Sequence, residues 1–391
     1  MHKLKVGVAG LGRAFTLMLP TFLLDPRVQL VAAADPRAAA RDQFVSDFNG
    51  RSYVSVEELV TDSEVEIVYI STPHQMHAKH TKLAAMHGKH VLVEKPMALD
   101  IDDCRAMIDV CAKANVKLIV GHSHSFDMPF LKAKELITSG ELGQVKMIHA
   151  MYYTDFLYRP RRPEELNTEE GGGVIFSQAA HQVDIVRLLA GSPVESVRAE
   201  LGAWDKSRPT EGAYSGLMRF KNGAFASLTY SGFAHFDSDE YCGWIGEMGQ
   251  RKNPESYGVA RKKLKEIVNA EDEAKIKNEG TYGGPNYVAP QIDCVDGLGS
   301  WYQHFGSFII SCEFGDVRPL PDGVVVYGDN GKKLLPLPRP EIPRQEVIDE
   351  VYNVVRLNRP AIHDGSWAMA TLETCLAMLT SGNERREVFF N

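Results

Sequence analysis

The first 125 residues alternate short apolar runs with longer amphipathic stretches. The runs LKVGVA (4–9), VQLVAAA (28–34), VEIVYIS (65–71), HVLVEK (90–95) and VKLIVG (116–121) predict strands. Segments around 13–24, 37–47, 75–87 and 101–114 predict helices between them. This order is the mark of βαβ units and a parallel sheet. Asp100, three residues before Asp103, is an expected N-cap. Past Gly121 the period changes. A helix (about 127–138) and a strand (144–153) precede runs of alternating polarity at 196–203, 212–221, 224–233, 304–313 and 323–328. With the hairpin signal Lys221-Asn222-Gly223-Ala224, they predict a mainly antiparallel sheet. Residues 242–285 break this pattern. Their charged middle, ARKKLKEIVNAEDEAKIK, carries Leu264, Ile267 and Val268 on one helical face and is expected as an insertion packed on the sheet, its outer side solvated. The expected fold is α/β: a doubly wound parallel sheet over 1–124, then a C-terminal α/β domain over 125–391 with an open sheet.

Composition sets bounds on the chemistry. A chain of 391 residues, 44% hydrophobic and 24% charged, is long enough for two domains with full cores. The net charge of −8 offers no electrostatic footprint for nucleic acid or an anionic membrane. MHKLKVGVAG runs straight into a strand and no 18-residue apolar span follows, so a cytoplasmic protein without a membrane partner is expected. Six cysteines (Cys104, Cys111, Cys242, Cys294, Cys312, Cys375) form no C-x-x-C pair and read as reduced, buried thiols.

Candidate chemistry begins at Gly7-Val-Ala-Gly10-Leu-Gly12-Arg13-Ala14-Phe15, between a strand and a helix. Gly10 and Gly12 permit a tight turn and close approach to a pyrophosphate at the helix N-terminus, with Arg13 and Ala14 opening that helix. Phe15 stands where a third small residue is usual. Asp35, ending the second strand, can accept bonds from an adenosine ribose and disfavours a 2′-phosphate, so NAD is expected. Arg37 keeps NADP open. Ser71, Thr72, Pro73 and His77 follow the third strand, and Glu94 and Lys95 end the next, at strand ends that line the same crevice. Near a cationic nicotinamide the ammonium form of Lys95 is disfavoured, suiting it to carry a proton.

The second signal is GGGVIFSQAAHQVD (171–184). Ser177, His181 and Asp184 are spaced to share one α-helical face. An imidazole there can act as acid/base, and the glycines are expected to turn tightly and leave room for a substrate ring. The alternative is a satisfied helix histidine behind a glycine hinge.

VGVAGLGRA, STPHQMHAKHTKLAAMHGKHVLVEKPMALD, GGGVIFSQAAHQVDIVRLL and HDGSWAMATLETCLAML, in this order, resemble the Gfo/Idh/MocA oxidoreductases over nearly the whole chain. The resemblance implies a Rossmann domain, a C-terminal domain whose open sheet forms the interface of a homodimer or homotetramer, and nicotinamide-dependent hydride transfer from a secondary alcohol. It puts Lys95 next to the reacting hydroxyl and makes His181 the imidazole of the same site. Where the family usually has aspartate, this sequence has Ser177. Its hydroxyl can orient an imidazole but cannot stabilise an imidazolium as a carboxylate does, so either Asp184 substitutes or Lys95 carries more of the proton transfer.

Substrate identity rests on Asp155-Phe-Leu-Tyr158-Arg159-Pro-Arg161-Arg162-Pro163. Arg159 and Arg161 suit bidentate binding of a carboxylate, while the alternative is a loop paired with Glu164, Glu165, Glu169 and Glu170. Ser177 and His124 are also assigned to the substrate side. YRPRRPEELNTEEGGGVIFSQAAHQVDIVRLL and GWIGEMGQRKNPESYG resemble the phthalate-pathway cis-4,5-dihydrodiol dehydrogenases. That implies oxidation of a small anionic substrate, a carboxylated cis-dihydrodiol, to a catechol with NAD(P)+. A polyol, inositol or sugar dehydrogenase, an NAD-dependent glycosidase and a non-catalytic nucleotide-binding regulator are the alternatives. His74, His77 and His80, at i, i+3 and i+6, fan over roughly 120 degrees and two turns of helix, too spread for one cation, so no metal is expected.

Overall fold

The structure, a computed structural model, describes residues 2–289 and 300–390. Contacts divide them into two units. The first takes residues up to His122, then 274–289 and Ile342–Leu372. The second takes Ser123–Glu273, the described residues from 300 to Glu341, and Glu373 onward.

In the first unit β1 (Leu4–Ala9), β2 (Val28–Ala34), β3 (Arg51–Tyr53), β4 (Ile67–Ile70), β5 (His90–Val93) and β6 (Leu118–Val120) form a parallel sheet of order β3-β2-β1-β4-β5-β6. Its central strands are apolar on both faces because helices cover both, so they read as continuous runs. The crossovers are α1 (Arg13–Leu24), α2 (Ala38–Phe48), the short α3 (Val56–Leu59), α4 (His77–Met86) and α5 (Ile101–Lys113). Asp100 caps α5 as expected, accepting from Asp103 N at 2.7 Å. The edge strand β3 and α3 were not predicted: RSY is too short and polar to register as an apolar run.

In the second unit α6 (Met128–Thr138) leads to β7 (Val145–Tyr153), α7 (Ala180–Ala190), β8 (Val194–Gly202), β9 (Ala213–Phe220) and β10 (Phe225–Ser231). The insertion carries α8 (Val259–Lys265) and α9 (Ala270–Glu279); then come β11 (Ser307–Cys312), β12 (Asp316–Leu320), β13 (Gly323–Gly328) and β14 (Gly331–Pro336). Beyond α10 (Gln345–Leu357), which belongs to the first unit, and α11 (Gly365–Glu384), which begins in it, β15 (Val388–Phe389) completes a nine-stranded sheet of order β14-β13-β12-β11-β7-β10-β9-β8-β15. All its pairings are antiparallel except β7 with β10. The 221–224 hairpin forms, with Gly223 at φ +87°. Inward residues such as Ile148, Ala150, Tyr152, Leu228 and Phe308 pack with Val183, Val186 and Leu189 of α7 in the unit's core.

The insertion departs from expectation. Its helical stretch is two helices rather than one, Val268 is 88% exposed, and residues 274–289 belong to the first unit, where Tyr282 packs edge-on against Phe15 at 5.1 Å. The bulky Phe15 at the turn is therefore matched by an aromatic partner from far along the chain. Five cysteines are free thiols; Cys312 is only half-buried, and Cys294 lies outside the described residues. No helix among the described residues is long and apolar enough to cross a membrane.

Candidate active site

The glycine turn has the shape an anion site needs. Gly10 adopts φ +91°, and a Cβ there would press on the Ser71 carbonyl at 3.0 Å. Ser71 Oγ donates to the Gly10 carbonyl at 2.7 Å, tying the ends of β1 and β4 together. Gly12 caps α1 with no side-chain bond and with nothing within 4 Å of an added Cβ, so the first-turn amides keep an open approach for a phosphate. Arg13 and Ala14 are the first residues of that helix.

Asp35 is more heavily engaged than expected. Its carboxylate accepts from Leu11 N at 2.8 Å, Arg37 N at 2.9 Å, Arg37 Nε at 3.0 Å and Arg37 Nη2 at 3.1 Å. Those four bonds fill the lone-pair sites of an ionised carboxylate, so a ribose hydroxyl must share or displace one. Arg37 also donates to the Leu11 carbonyl, Thr281 Oγ1 and the Tyr282 carbonyl. Its guanidinium is thus spent on the fold rather than held out for a 2′-phosphate.

The Ser71-Thr72-Pro73 turn is tied to the Glu94-Lys95 turn through His77. One ring nitrogen lies 2.9 Å from the Pro96 carbonyl and the other 2.9 Å from the Thr72 carbonyl, so His77 is a brace rather than a direct cofactor contact. Burial lowers its pKa. Thr72 Oγ1 meets His80 Nδ1 at 3.0 Å, and burial brings His80 to about 4. Glu94 is buried, with its pKa raised by burial, and accepts from Tyr69 OH at 2.6 Å. Lys95 follows it at the end of β5, partly exposed.

In the second unit the glycine loop has another purpose than clearance for a ring. Gly171 and Gly173 are left-handed (φ +82° and +77°), and a Cβ on Gly172 would strike the Glu164 carbonyl at 2.5 Å. A Cβ on Gly173 would overlap the carboxylate of Glu211. The glycines make room for the chain itself. Glu211 accepts from Thr168 Oγ1, from Thr210 Oγ1 at 3.0 Å and from Ile175 N at 3.2 Å; burial raises its pKa.

The chain then winds as a π-helix over Ile175–Ala179 before α7, which changes the register assumed for Ser177 and His181. Ser177 Oγ donates to the Gly173 carbonyl at 2.5 Å. Asp184 accepts from Ser125 Oγ at 2.5 Å and lies 3.9 Å from Arg187. His181 is 6% exposed; its ring meets those of His124 and Phe305 at centroid distances of 4.7 and 4.8 Å. His181 Nδ1 accepts from His124 N at 3.4 Å, which leaves the proton of a neutral ring on Nε2.

His124 is the centre of a buried charge network that the sequence did not reveal. Its Nδ1 is 2.7 Å from Asp127 Oδ2, and its Nε2 is 3.6 Å from Glu247 Oε1. Burial opposes a charge there, yet Asp127 and Glu247 together raise its pKa. Burial likewise opposes ionisation of Glu247, but His124 and Arg159 hold it down at about 2.

The arginines divide. Arg161 stacks its guanidinium 3.5 Å over the Phe156 ring, donates to the Phe156 carbonyl at 2.7 Å, and is brought by burial to about 10. It lies 3.8 Å from Glu165, and Arg162 pairs with Glu164 and Glu165, so this part is the paired loop of the alternative reading. Arg159 is 43% exposed on its side chain and bonded through Nε to Asp155 at 3.1 Å. Arg208 was missed: it is 3% exposed and paired with Glu273 at 2.8 Å. Tyr158 lines a cleft of about 600 Å³ with Tyr153, Trp204, Phe233, Phe236 and Arg261.

Comparisons with known proteins agree with this architecture. The model for the oxidoreductase family with an NAD-binding Rossmann fold, GFO/IDH/MocA, matches residues 4–122, and that for the GFO/IDH/MocA C-terminal domain matches 130–250. A curated relative from Comamonas testosteroni, 1-carboxy-3-chloro-3,4-dihydroxycyclohexa-1,5-diene dehydrogenase, is 48% identical over 380 residues, 97% of this chain and 95% of that protein. A solved protein of Bordetella bronchiseptica RB50 superposes with a TM-score of 0.92 at 37% identity, covering 99% of this chain and 100% of its own. GenD2 from gentamicin A biosynthesis, solved in complex with NAD, shares the fold alone, with a TM-score of 0.72 at 20% identity over 100% of this chain and 97% of its own. The chain belongs to the Gfo/Idh/MocA family of nicotinamide-dependent oxidoreductases, and its first 122 residues carry that family's NAD-binding Rossmann fold.

Proposed function

We propose that the protein oxidises a carboxylated cis-dihydrodiol of a cyclohexadiene ring to the corresponding catechol, with NAD+ preferred over NADP+. The observation that carries this reading is the 48% identity, across 97% of the chain, to a relative named for a carboxylated dihydroxycyclohexadiene. When bound, the nicotinamide supplies the hydride acceptor. The diol loses one hydride and one proton, and the product gains aromaticity. Lys95 takes the hydroxyl proton. His181, whose Nδ1 accepts from the His124 amide, carries the proton of a neutral ring on Nε2 and presents that N–H to the substrate oxygen. This makes His181 a donor that steadies the oxygen, with Lys95 as the base, and removes the need for a carboxylate at Ser177. Arg159 binds the ring carboxylate.

The first-turn amides behind Gly10 and Gly12 hold the pyrophosphate, and the Asp35–Arg37 pair lines the ribose end. The open face of the nine-stranded sheet, where Met147, Leu217, Phe225 and Ile309 are exposed, supports a homo-oligomer, and we place the protein in the cytoplasm. The test is a panel of carboxylated cis-dihydrodiols, polyols and sugar acids, each assayed with NAD+ and with NADP+ for formation of the reduced cofactor. Carboxylated dihydrodiols should give the highest kcat/KM. Turnover confined to polyols or sugars would refute the reading.

A further inference from the structure

We propose that Glu247 reads the second hydroxyl of the vicinal diol, so that it, and not only the arginines, determines which substrates fit. The inference rests on the functional reading above. Asp127, His124, Glu247 and Arg159 alternate between acid and base, and the first two are sealed, at 4% and 2% of the side chain exposed, while the last two are open, at 24% and 43%. The outer two put a carboxylate and a guanidinium at the open end of the network, one suited to a hydroxyl and the other to a carboxylate.

Glu247 is held where such a role requires. It sits in a tight turn closed by Gly246 N to the Gln250 carbonyl at 2.7 Å and Gly249 N to the Gly246 carbonyl at 2.8 Å, and its own carbonyl accepts from His304 N at 3.3 Å. Those three bonds tie down the backbone on either side of it. Its Oε1 lies 3.6 Å from His124 Nε2, an ion-pair distance beyond hydrogen-bond range, so the carboxylate stays ionised without spending its acceptor capacity on that contact. His124 in turn packs against His181 at 4.7 Å. Glu247 and His181 thus both contact the one imidazole of His124, so a carboxylate and a ring N–H are offered from neighbouring points for two oxygens of one substrate.

The probe is the stable product class. Binding of 3,4-dihydroxybenzoate, 3-hydroxybenzoate, 4-hydroxybenzoate and benzoate to the full-length protein loaded with NADH is measured by calorimetry. A hydrogen bond to an ionised carboxylate predicts that the wild type prefers the dihydroxy compound over the monohydroxy ones by about 10- to 100-fold. In Glu247→Gln that preference should shrink to about threefold or less while benzoate affinity stays, and Arg159→Ala should weaken all four ligands and keep the preference. Glu247→Asp, which retains the charge but withdraws it, serves if the glutamine variant does not fold, and should narrow the preference likewise. An undiminished preference in either folded Glu247 variant overturns the inference. A wild type that binds all four equally also overturns it but leaves the carboxylate reading standing, whereas no binding and no turnover of any carboxylated diol means the functional reading has failed.

Discussion

Two glycines that look alike in sequence should respond oppositely to alanine, and the contrast tests why the triple glycine is there. At Gly173, φ is +77° and an added methyl overlaps the Glu211 carboxylate. The left-handed backbone alone costs an alanine about 1–2 kcal/mol. Pushing Glu211 off Thr168, Thr210 and Ile175 N strands a buried carboxylate, about 1–3 kcal/mol more. The sum, about 2–5 kcal/mol, is a large share of a typical stability of about 5–15 kcal/mol. At about 2–4 °C per kcal/mol for a domain of this size, Tm should fall by about 4–20 °C. Gly12→Ala meets nothing within 4 Å and needs no left-handed φ, so it should leave Tm nearly unchanged and weaken NAD binding by crowding the phosphate approach. The assay is thermal unfolding of ligand-free protein, with cofactor binding followed by fluorescence. If Gly173→Ala melts with the wild type and loses only turnover, the glycine serves substrate clearance and the packing argument is wrong.

Lys95→Ala and His181→Ala should each lower kcat by about 10²-fold or more with little change in Tm, the loss usual for removal of a proton-handling or oxygen-holding group, as read in steady-state kinetics. Glu247 is held at about 2, below its ordinary 4.5, so the stability it contributes is present above pH about 4.5 and is lost as pH falls through about 2. Denaturant midpoints across that window should show a shallower pH slope in Glu247→Gln. Asp35→Ala frees Arg37 from its carboxylate partner and should lower the KM for NADP+ relative to NAD+ by about tenfold, one charge-assisted hydrogen bond. Unchanged discrimination would show that Arg37 stays committed to Thr281 and Tyr282. Glu273→Ala leaves the sealed Arg208 unbalanced and should cost about 3–5 kcal/mol in urea unfolding, whereas a paired Arg208→Met, Glu273→Leu replacement should recover most of it.

The parallel sheet, the glycine turn and the hairpin were legible because each depends on local pattern: apolar runs of strand length, a left-handed glycine, an Asn-Gly pair. The helix through Ser177 was not, because π-winding over Ile175–Ala179 is set by Glu211 and the glycine loop gripping its start, contacts that lie more than thirty positions apart. Spacing arguments assume 3.6 residues per turn and fail where tertiary bonds override it. The three glycines were correctly singled out but given the wrong neighbour, since sequence cannot say whether missing side chains make space for a ligand or for the chain. The charged insertion shows the deepest limit. As a string, Glu247 and Glu273 are two acids in a polar, solvated stretch. In the fold they are the counter-charges of His124 and of Arg208, and what decides their role is burial. A buried cation without a partner is costly, so His124 and Arg208 require carboxylates close by. That requirement, absent from any local motif, explains why the insertion supplies buried counter-charges rather than only decorating the sheet.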